Sequence, residues 1–256
     1  MSGANGPSGR ERRTGSLYRD RAVVVRTHKL GEADRIVVLL TAEHGKVRAV
    51  AKGVRKTKSR FGGRLEPLTH VNLLLYRGRE LDIVNQAETV DPTRPLMGDL
   101  DRLTQGLALL EVVDRLTPDR EPVPDLYRML VGALRTLGSQ PALPSSGLVV
   151  PAFFWKVLAA EGVRPELDRC VRCGQDEPLV AFDLDEGGAL CRSCRQGVAL
   201  SPGALALLRQ ILGGELNAAL AADPGPASHE VSVLATRAME HHLERGLRAV
   251  ALLERH

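Results

Sequence analysis

The chain has 256 residues, 43% apolar and 26% charged, with a formal net charge of +4 and a pI near 9.0. That length suits one large domain or two to three small ones, each with a core. The longest apolar run, Leu148 to Trp155, is too short and too proline-interrupted to cross a membrane.

Residues 1–16, MSGANGPSGRERRTGS, have no apolar stretch, which argues against a signal peptide or anchor and predicts a disordered extension. Over 17–90 the chain reads as short strands rich in β-branched residues: Arg21–Leu30, Arg35–Thr41, Lys46–Lys52, Leu68–Arg77 and Leu81–Glu88. Gly-Glu-Ala-Asp, Glu-His-Gly and Gly78 supply turns, and the longest connection lies between the third and fourth strands. This is the pattern of a small closed Greek-key barrel of the OB type.

Beyond Asp91-Pro92 the apolar period changes from 2 to 3.6, and 91–166 reads as a helical domain. One helix carries Leu96, Leu100, Leu103, Leu107, Leu110 and Val113 and ends before Pro118. A second runs from Pro124 to Leu137 and stops at Gly138; a Pro/Ser loop, Gln140 to Ser146, leads to a third through Phe153, Phe154, Val157 and Leu158. A cysteine module occupies 167–199. Over 200–256 helices resume, first from an N-cap at Ser201-Pro202 to Gly213-Gly214. After Asp223-Pro-Gly-Pro a final long helix carries Val231, Leu234, Met239, His242, Leu247 and Val250. The fold class is α+β: a five-stranded OB-type barrel, a helical domain, a four-cysteine zinc module inserted in the C-terminal helical part, and C-terminal helices that pack with the helical domain.

The four cysteines fall as two Cys-x-x-Cys pairs, Cys170 with Cys173 and Cys191 with Cys194, 17 residues apart. Two tight turns that each present two thiolates close a tetrahedron around one Zn²⁺. Arg169, Arg172, Arg192 and Arg195 favour ionised sulfur, and Gly174, Gly187 and Gly188 allow sharp turns. With all four positions filled by protein the metal is structural, because no place remains for water or substrate. Two local disulfides or a redox dithiol are the alternatives, disfavoured by the paired spacing and the absence of an export signal.

Nothing calls for catalysis, so the chain is expected not to be an enzyme. His-Glu-x-x-His and Gly-x-Ser-x-Gly are absent, and Gly53-Val-Arg-Lys-Thr-Lys-Ser59 lacks the second glycine of a phosphate loop. The scattered histidines read as solvated or capping groups.

The charge is concentrated between Glu43 and Arg64, where Lys46, Arg48, Lys52, Arg55, Lys56, Lys58, Arg60 and Arg64 face a single acid, Glu43. In the third strand the two-residue alternation puts Lys46, Arg48 and Lys52 outside and Val47, Ala49 and Ala51 inside. Such a surface on an OB barrel is a phosphate-binding groove, against the plainer reading of a solvated lysine-rich face. Only Tyr18, Phe61 and Tyr76 offer rings on the barrel, so affinity is expected to come mainly from phosphates and to fall by about three to five decades between 50 and 200 mM salt.

Leu30-Gly31-Glu32-Ala33-Asp34-Arg35, Glu43-His44-Gly45-Lys46, and Ala51-Lys52-Gly53-Val54-Arg55-Lys56 with Lys58-Ser59, together with the cysteine module before the last helices, resemble the RecO family of bacterial recombinational repair mediators. The resemblance covers the chain from Leu17 onward. It implies binding of single- and double-stranded DNA, displacement of single-strand-binding protein, annealing of complementary strands, and loading of RecA together with RecR, in the cytoplasm at the nucleoid. It places DNA contact on Lys46, Arg48, Lys52, Arg55, Lys56, Lys58 and Arg60. It also implies a slot for the acidic, apolar tail of single-strand-binding protein, which Phe153, Phe154 and Lys156 could form, although a core role suits the two phenylalanines better. The 16-residue head departs from the family pattern, and only some members keep all four cysteines. The reading of a different class is a zinc-ribbon and OB factor that binds RNA or polymerase; a metal-dependent nuclease is a third.

Overall fold

The computed structural model describes residues 16–91, 94–139, 147–176, 178–244 and 247. The expected disordered head, the Gln140–Ser146 loop and the end of the last helix at Val250 lie outside them. Five strands, β1 (Leu17–Leu30), β2 (Asp34–Thr41), β3 (Lys46–Ala51), β4 (His70–Tyr76) and β5 (Asp82–Asp91), close into a barrel in the order β1-β2-β3-β5-β4. Closure comes from a parallel pairing of β3 with β5, Ala49 opposite Asp82 and Val50 opposite Ile83. Strand β1 starts four residues earlier than the expected Arg21, because Leu17 to Val23 pair with β4 while Ala22 to Leu30 pair with β2.

Alternation along β1 and β2 sorts side chains between two cores. Ala22, Val24, Val37 and Leu39 fill the barrel with Ala49, Ala51, Val71 and Val84. Val23, Val25, Val38 and Leu40 point the other way and join the core of the helices. Burial on both faces explains why these strands read as unbroken Val and Leu runs. The barrel interior is stoppered by Phe61 and Leu65, each 1% exposed, from the β3–β4 connection and its short 3₁₀ turn Gly62–Leu65.

The helices are α1 (Arg94–Met97), α2 (Leu100–Leu116), α3 (Pro124–Gly138), α4 (Val149–Ala160), α5 (Pro202–Gly213), α6 (Leu216–Leu220) and α7 (Pro226–Leu243). The stripe expected to form one helix from Leu96 is broken before α2, where the Asp99 carboxylate accepts from the Arg102 N–H as an N-cap. Helix α6 is additional, and α7 ends at Leu243 with Glu244 left-handed. Helix α4 is buried on nearly all sides, with Val150, Phe153, Phe154, Trp155, Val157 and Leu158 all in the core, so it is the centre of the helical part. Between α4 and α5 lies a three-stranded sheet, β6 (Leu179–Asp183), β7 (Gly188–Cys191) and β8 (Val198–Ala199), ordered β7-β6-β8.

The α2–α3 connection clamps the barrel to the helices. The Arg120 N–H donates to the Lys46 carbonyl at 2.9 Å, and its guanidinium holds Asp82, whose side chain is fully buried, at 2.9 Å. Asp82 also accepts from the Tyr18 hydroxyl at 2.5 Å and the Gly78 N–H at 3.0 Å. Burial opposes ionisation of Asp82, but the hydrogen bonds from Arg120, Tyr18 and Gly78 outweigh it and hold the carboxyl below its usual range. A second joint is His70, buried between Asp91 at 2.6 Å and the Tyr127 hydroxyl at 2.8 Å, so this histidine is a structural bridge rather than a solvated one.

Gly45 has φ +68°, and a Cβ there would lie 1.9 Å from the Glu121 carbonyl oxygen. Gly45→Ala is therefore expected to cost about 3 kcal/mol or more in urea unfolding, from left-handed strain and backbone overlap together. For Asp82, a depressed carboxyl contributes stability that is complete above its unfolded value of about 3.9 and is lost as pH falls through its folded value. Asp82→Asn should cost about 2–3 kcal/mol at neutral pH and flatten the loss of stability on acidification, read by unfolding midpoints across the acid range.

Candidate nucleic-acid interface and metal centre

The basic block divides in two. Lys46 does not lie free on the outside: it is only 9% exposed, and its ammonium donates to the Asp114 carbonyl at 2.8 Å and faces the Asp114 carboxylate at 3.6 Å. Alternation aims it outward as expected, but outward at this end of β3 is the end of α2. Arg48, next on the same face, pairs with Asp119 at 3.1 Å and stays about half exposed. Both cations are engaged by the helical part.

Beyond β3 the situation changes. Lys52, Arg55, Lys56, Lys58, Arg60 and Arg64 are exposed, and none pairs with a carboxylate among the described residues. The segment that carries them is tethered by its backbone. The Gly53 N–H donates to Asp34 at 2.7 Å, the Arg55 N–H to the Ala33 carbonyl at 2.9 Å, and the Arg55 guanidinium to the Gly31 carbonyl at 3.1 Å. Arg60 lies over the Phe61 ring at 4.7 Å while reaching the Val84 carbonyl at 3.4 Å. Phe61 is thus a plug rather than an exposed ring. The result is a like-charged ridge fixed on one end of the barrel, beside the β1–β2 turn.

Other cations near the barrel escaped the sequence reading because they are scattered along the chain. Arg77 lies 5.1 Å over the Tyr18 ring, which also meets His44 at 4.6 Å; His44 is held by Asp20 at 2.6 Å. Only the register of β1 against β4 brings Arg77 to Tyr18.

Phe153 and Phe154 are buried, 4% and 0% exposed, inside the helical core, with Lys156 partly exposed on the same helix. Among the described residues, α4 turns its aromatic residues into the packed centre rather than to solvent.

The sulfurs of Cys170, Cys173, Cys191 and Cys194 all lie within 4.8 Å of one another. Cys173 and Cys191 are 3.8 Å apart, the edge of a tetrahedron with metal–sulfur bonds of about 2.3 Å and far beyond an S–S bond of about 2.05 Å. Each pair sits on a turn: the Gly174 N–H returns to the Cys170 carbonyl at 2.8 Å with Gly174 at φ +72°, and Cys191 ends β7 opposite Leu179 of β6. Cys170 and Cys191 are buried and Cys173 is exposed, so a held ion would sit at the module's edge.

Thiol chemistry agrees. Burial alone would raise Cys170, but N–H groups of Cys191, Cys173 and Arg172 outweigh it and bring it down to about 6. The Cys173 thiol and burial push Cys194 up to about 12. Cys191 is drawn down by the Cys194 N–H, yet burial and the thiols of Cys170 and Cys173 raise it overall. One negative charge on the cluster opposes the next, and only a cation at the centre lets all four ionise. The four cysteines together can hold a metal ion. Of the neighbouring arginines, Arg172 spends its charge on Glu186 at 2.6 Å and also binds Gln196 at 3.1 Å, strapping one knuckle to the β6–β7 turn and to the other knuckle. The module is seated on the helices by Phe182, which meets Trp155 edge-on at 5.8 Å.

Among known proteins, residues 16–93 match the family model described as Recombination protein O N terminal, and residues 97–251 the one described as Recombination protein O C terminal. A Nocardioides protein named DNA repair protein RecO is 46% identical over 248 residues, 93% of this chain and 100% of that protein. Barrel, helices and cysteine cluster follow one another across the span of these matches, and the chain belongs to the RecO family of DNA repair and recombination proteins.

Proposed function

We propose that the protein is a recombination mediator that binds single- and double-stranded DNA, anneals complementary strands and, with RecR, helps load RecA onto DNA covered by single-strand-binding protein. It works in the cytoplasm at the nucleoid and makes or breaks no covalent bond. The observation that carries this reading is the tethered ridge of exposed cations from Lys52 to Arg64 without carboxylate partners among the described residues. Cations so placed repel one another, and counterion release from a sugar-phosphate chain relieves that repulsion. Two repelling backbones brought to one cationic ridge are also brought to each other, which is the physical basis of annealing. Lys52, Arg55, Lys56, Lys58, Arg60 and Arg64 carry the phosphate contacts, with Arg48 beside them. Lys46, held by Asp114, acts in the joint between barrel and helices.

The four thiolates hold one structural Zn²⁺, the borderline-soft ion that suits a tetrahedron of sulfurs. When bound, it supplies cross-linking of the two knuckles and no open coordination position.

Charge reversal of Arg55, Lys56 and Lys58 should weaken DNA binding and lower the slope of log affinity against log salt by about 2 to 3, roughly 0.7–0.9 per lost phosphate contact. An unchanged slope would remove the ridge from the interface. Annealing in the presence of single-strand-binding protein should fall in parallel; failure of the parent chain to anneal at all argues for the RNA- or polymerase-binding alternative.

For the metal, elemental analysis of the purified chain should find one zinc, and Cys191→Ser should abolish it. Amide exchange after chelation should show β6 and β7 losing protection first while barrel amides keep theirs. Absence of zinc, or simultaneous loss in both regions, contradicts this assignment.

A further inference from the structure

Most apolar side chains of the barrel belong to its interior or to the core shared with the helices, but one set belongs to neither. Leu17 of β1 lies opposite Tyr76 of β4, Tyr76 opposite Ile83 of β5, Ile83 opposite Val50 of β3, and Val50 opposite Ile36 of β2. One residue from each strand, paired in register, makes a band that follows the curve of the closed barrel. Their chain neighbours Leu75, Val84, Ala49 and Val37 fill the barrel, so alternation turns the row outward. Leu17 is 57% exposed and Tyr76 36%, and the other three are partly exposed. Four strand spacings give the band a contour of about 19 Å around the barrel.

An apolar stripe of this length on a soluble barrel needs a partner, and the surrounding charge defines its chemistry. Lys52 lies two residues past Val50, just beyond the end of β3, Arg60 reaches the backbone of Val84 beside Ile83, and Arg77 follows Tyr76. None of the three pairs with a carboxylate among the described residues. Nearby acids already have partners: Asp34 the Gly53 N–H, Glu66 the Arg35 guanidinium, and the buried Asp82 Tyr18 and Arg120. Glu80, in the β4–β5 turn, is the exposed acid closest in sequence. A polyanion with flat apolar faces meets both demands. Duplex DNA presents phosphates and hides its base faces; a single strand presents both.

We infer that the row Leu17, Tyr76, Ile83, Val50 and Ile36 is a base-stacking track for single-stranded DNA, with Tyr76 as its aromatic platform. This deepens the DNA-binding reading and rests on it. The phosphate ridge accepts single and double strands alike, whereas the track adds a contact only unpaired bases can make and so sets the preference between them.

The test uses the full chain with a homopyrimidine single strand and a duplex of equal length, titrated over a range of salt. Tyr76→Ala should weaken single-strand binding about tenfold, the equivalent of ~1.4 kcal/mol and within the range for one stacked base. Duplex affinity and both salt slopes should be unchanged, and Tyr76→Phe should bind as the parent does. Thermal unfolding of each variant separates a lost contact from a damaged barrel, and the more exposed Leu17→Ser provides a second readout if Tyr76→Ala unfolds. Equal losses on both nucleic acids, or a Tyr76→Phe as weak as Tyr76→Ala, would overturn the inference. Parent-like single-strand affinity in Tyr76→Ala would also overturn it and give the row to a protein partner. If that result comes with the ridge reversal still lowering the salt slope, only the track is lost. If the parent chain binds no DNA, both readings fall.

Discussion

Strand β1 is buried twice, and the layout of the molecule follows from that. One of its faces fills the barrel through Ala22 and Val24, and the other packs on the helices through Val23 and Val25. A strand with two apolar faces cannot remain at a surface, since leaving either one in water forfeits about 25 cal/mol per Å² of apolar area. The helices must therefore cover the β1–β2 side of the barrel. What is left to meet a partner is the β4–β5–β3 wall, with Tyr76, Ile83 and Val50 of the outward row, and the end of the barrel at the β1–β2 turn, where the cationic ridge is tethered.

The joint that enforces this choice is polar. Arg120 enters from the α2–α3 connection to neutralise Asp82, and Lys46 turns back to Asp114, which also takes Arg26 at 3.0 Å. A buried carboxylate with a single well-placed guanidinium tolerates little displacement, because separating the pair leaves an uncompensated charge in the interior. Apolar contact alone would let the barrel slide on the helices. The ion pairs fix its rotation, and with it the direction in which the ridge points. The cysteine module solves a different problem: so short a chain buries too little area to fold alone, the Trp155–Phe182 contact anchors it to the helices, and a metal held by the four cysteines would supply the cross-link that a core of its own does not.

Much of this is legible in the sequence, and the rest is not for identifiable reasons. Strand alternation, the turn residues and the helix stops are local, so the five strands and the larger helices can be read directly. The cysteine spacing alone states that four sulfurs converge. Lys46 is harder, because alternation assigns it an outward direction but cannot say that α2 ends there. Phe61 reads as an exposed ring in a polar loop and is instead the stopper of the barrel, a fate decided by the interior volume left when Ala49 and Ala51 are small. Phe153 and Phe154 are apolar in either role, and only the position of α4 at the centre of the helices distinguishes core from slot. The outward row is invisible in one dimension, since its five residues come from five strands and meet only through ladder register. Periodicity marks each of them as one half of an alternating strand and stops there.

The ridge and the row would divide the work by their different physics. A cation fixed in place before binding loses little freedom when a phosphate arrives, and the tethers from Gly53 and Arg55 to the β1–β2 turn, with the Phe61 plug, provide that fixation. Such contacts are long-ranged, indifferent to sequence and weakened by salt. Contacts on an apolar row are short-ranged and nearly independent of salt, and they require an unpaired base. A strand held by both would be captured quickly by charge and retained by stacking until a complement paired with it. Once its bases paired they would leave the row, the salt-independent share of the affinity would disappear, and the duplex would be held by phosphates alone. Pairing would thus weaken the grip on the product relative to the reactant, which is the thermodynamic bias an annealing protein needs in order to let go.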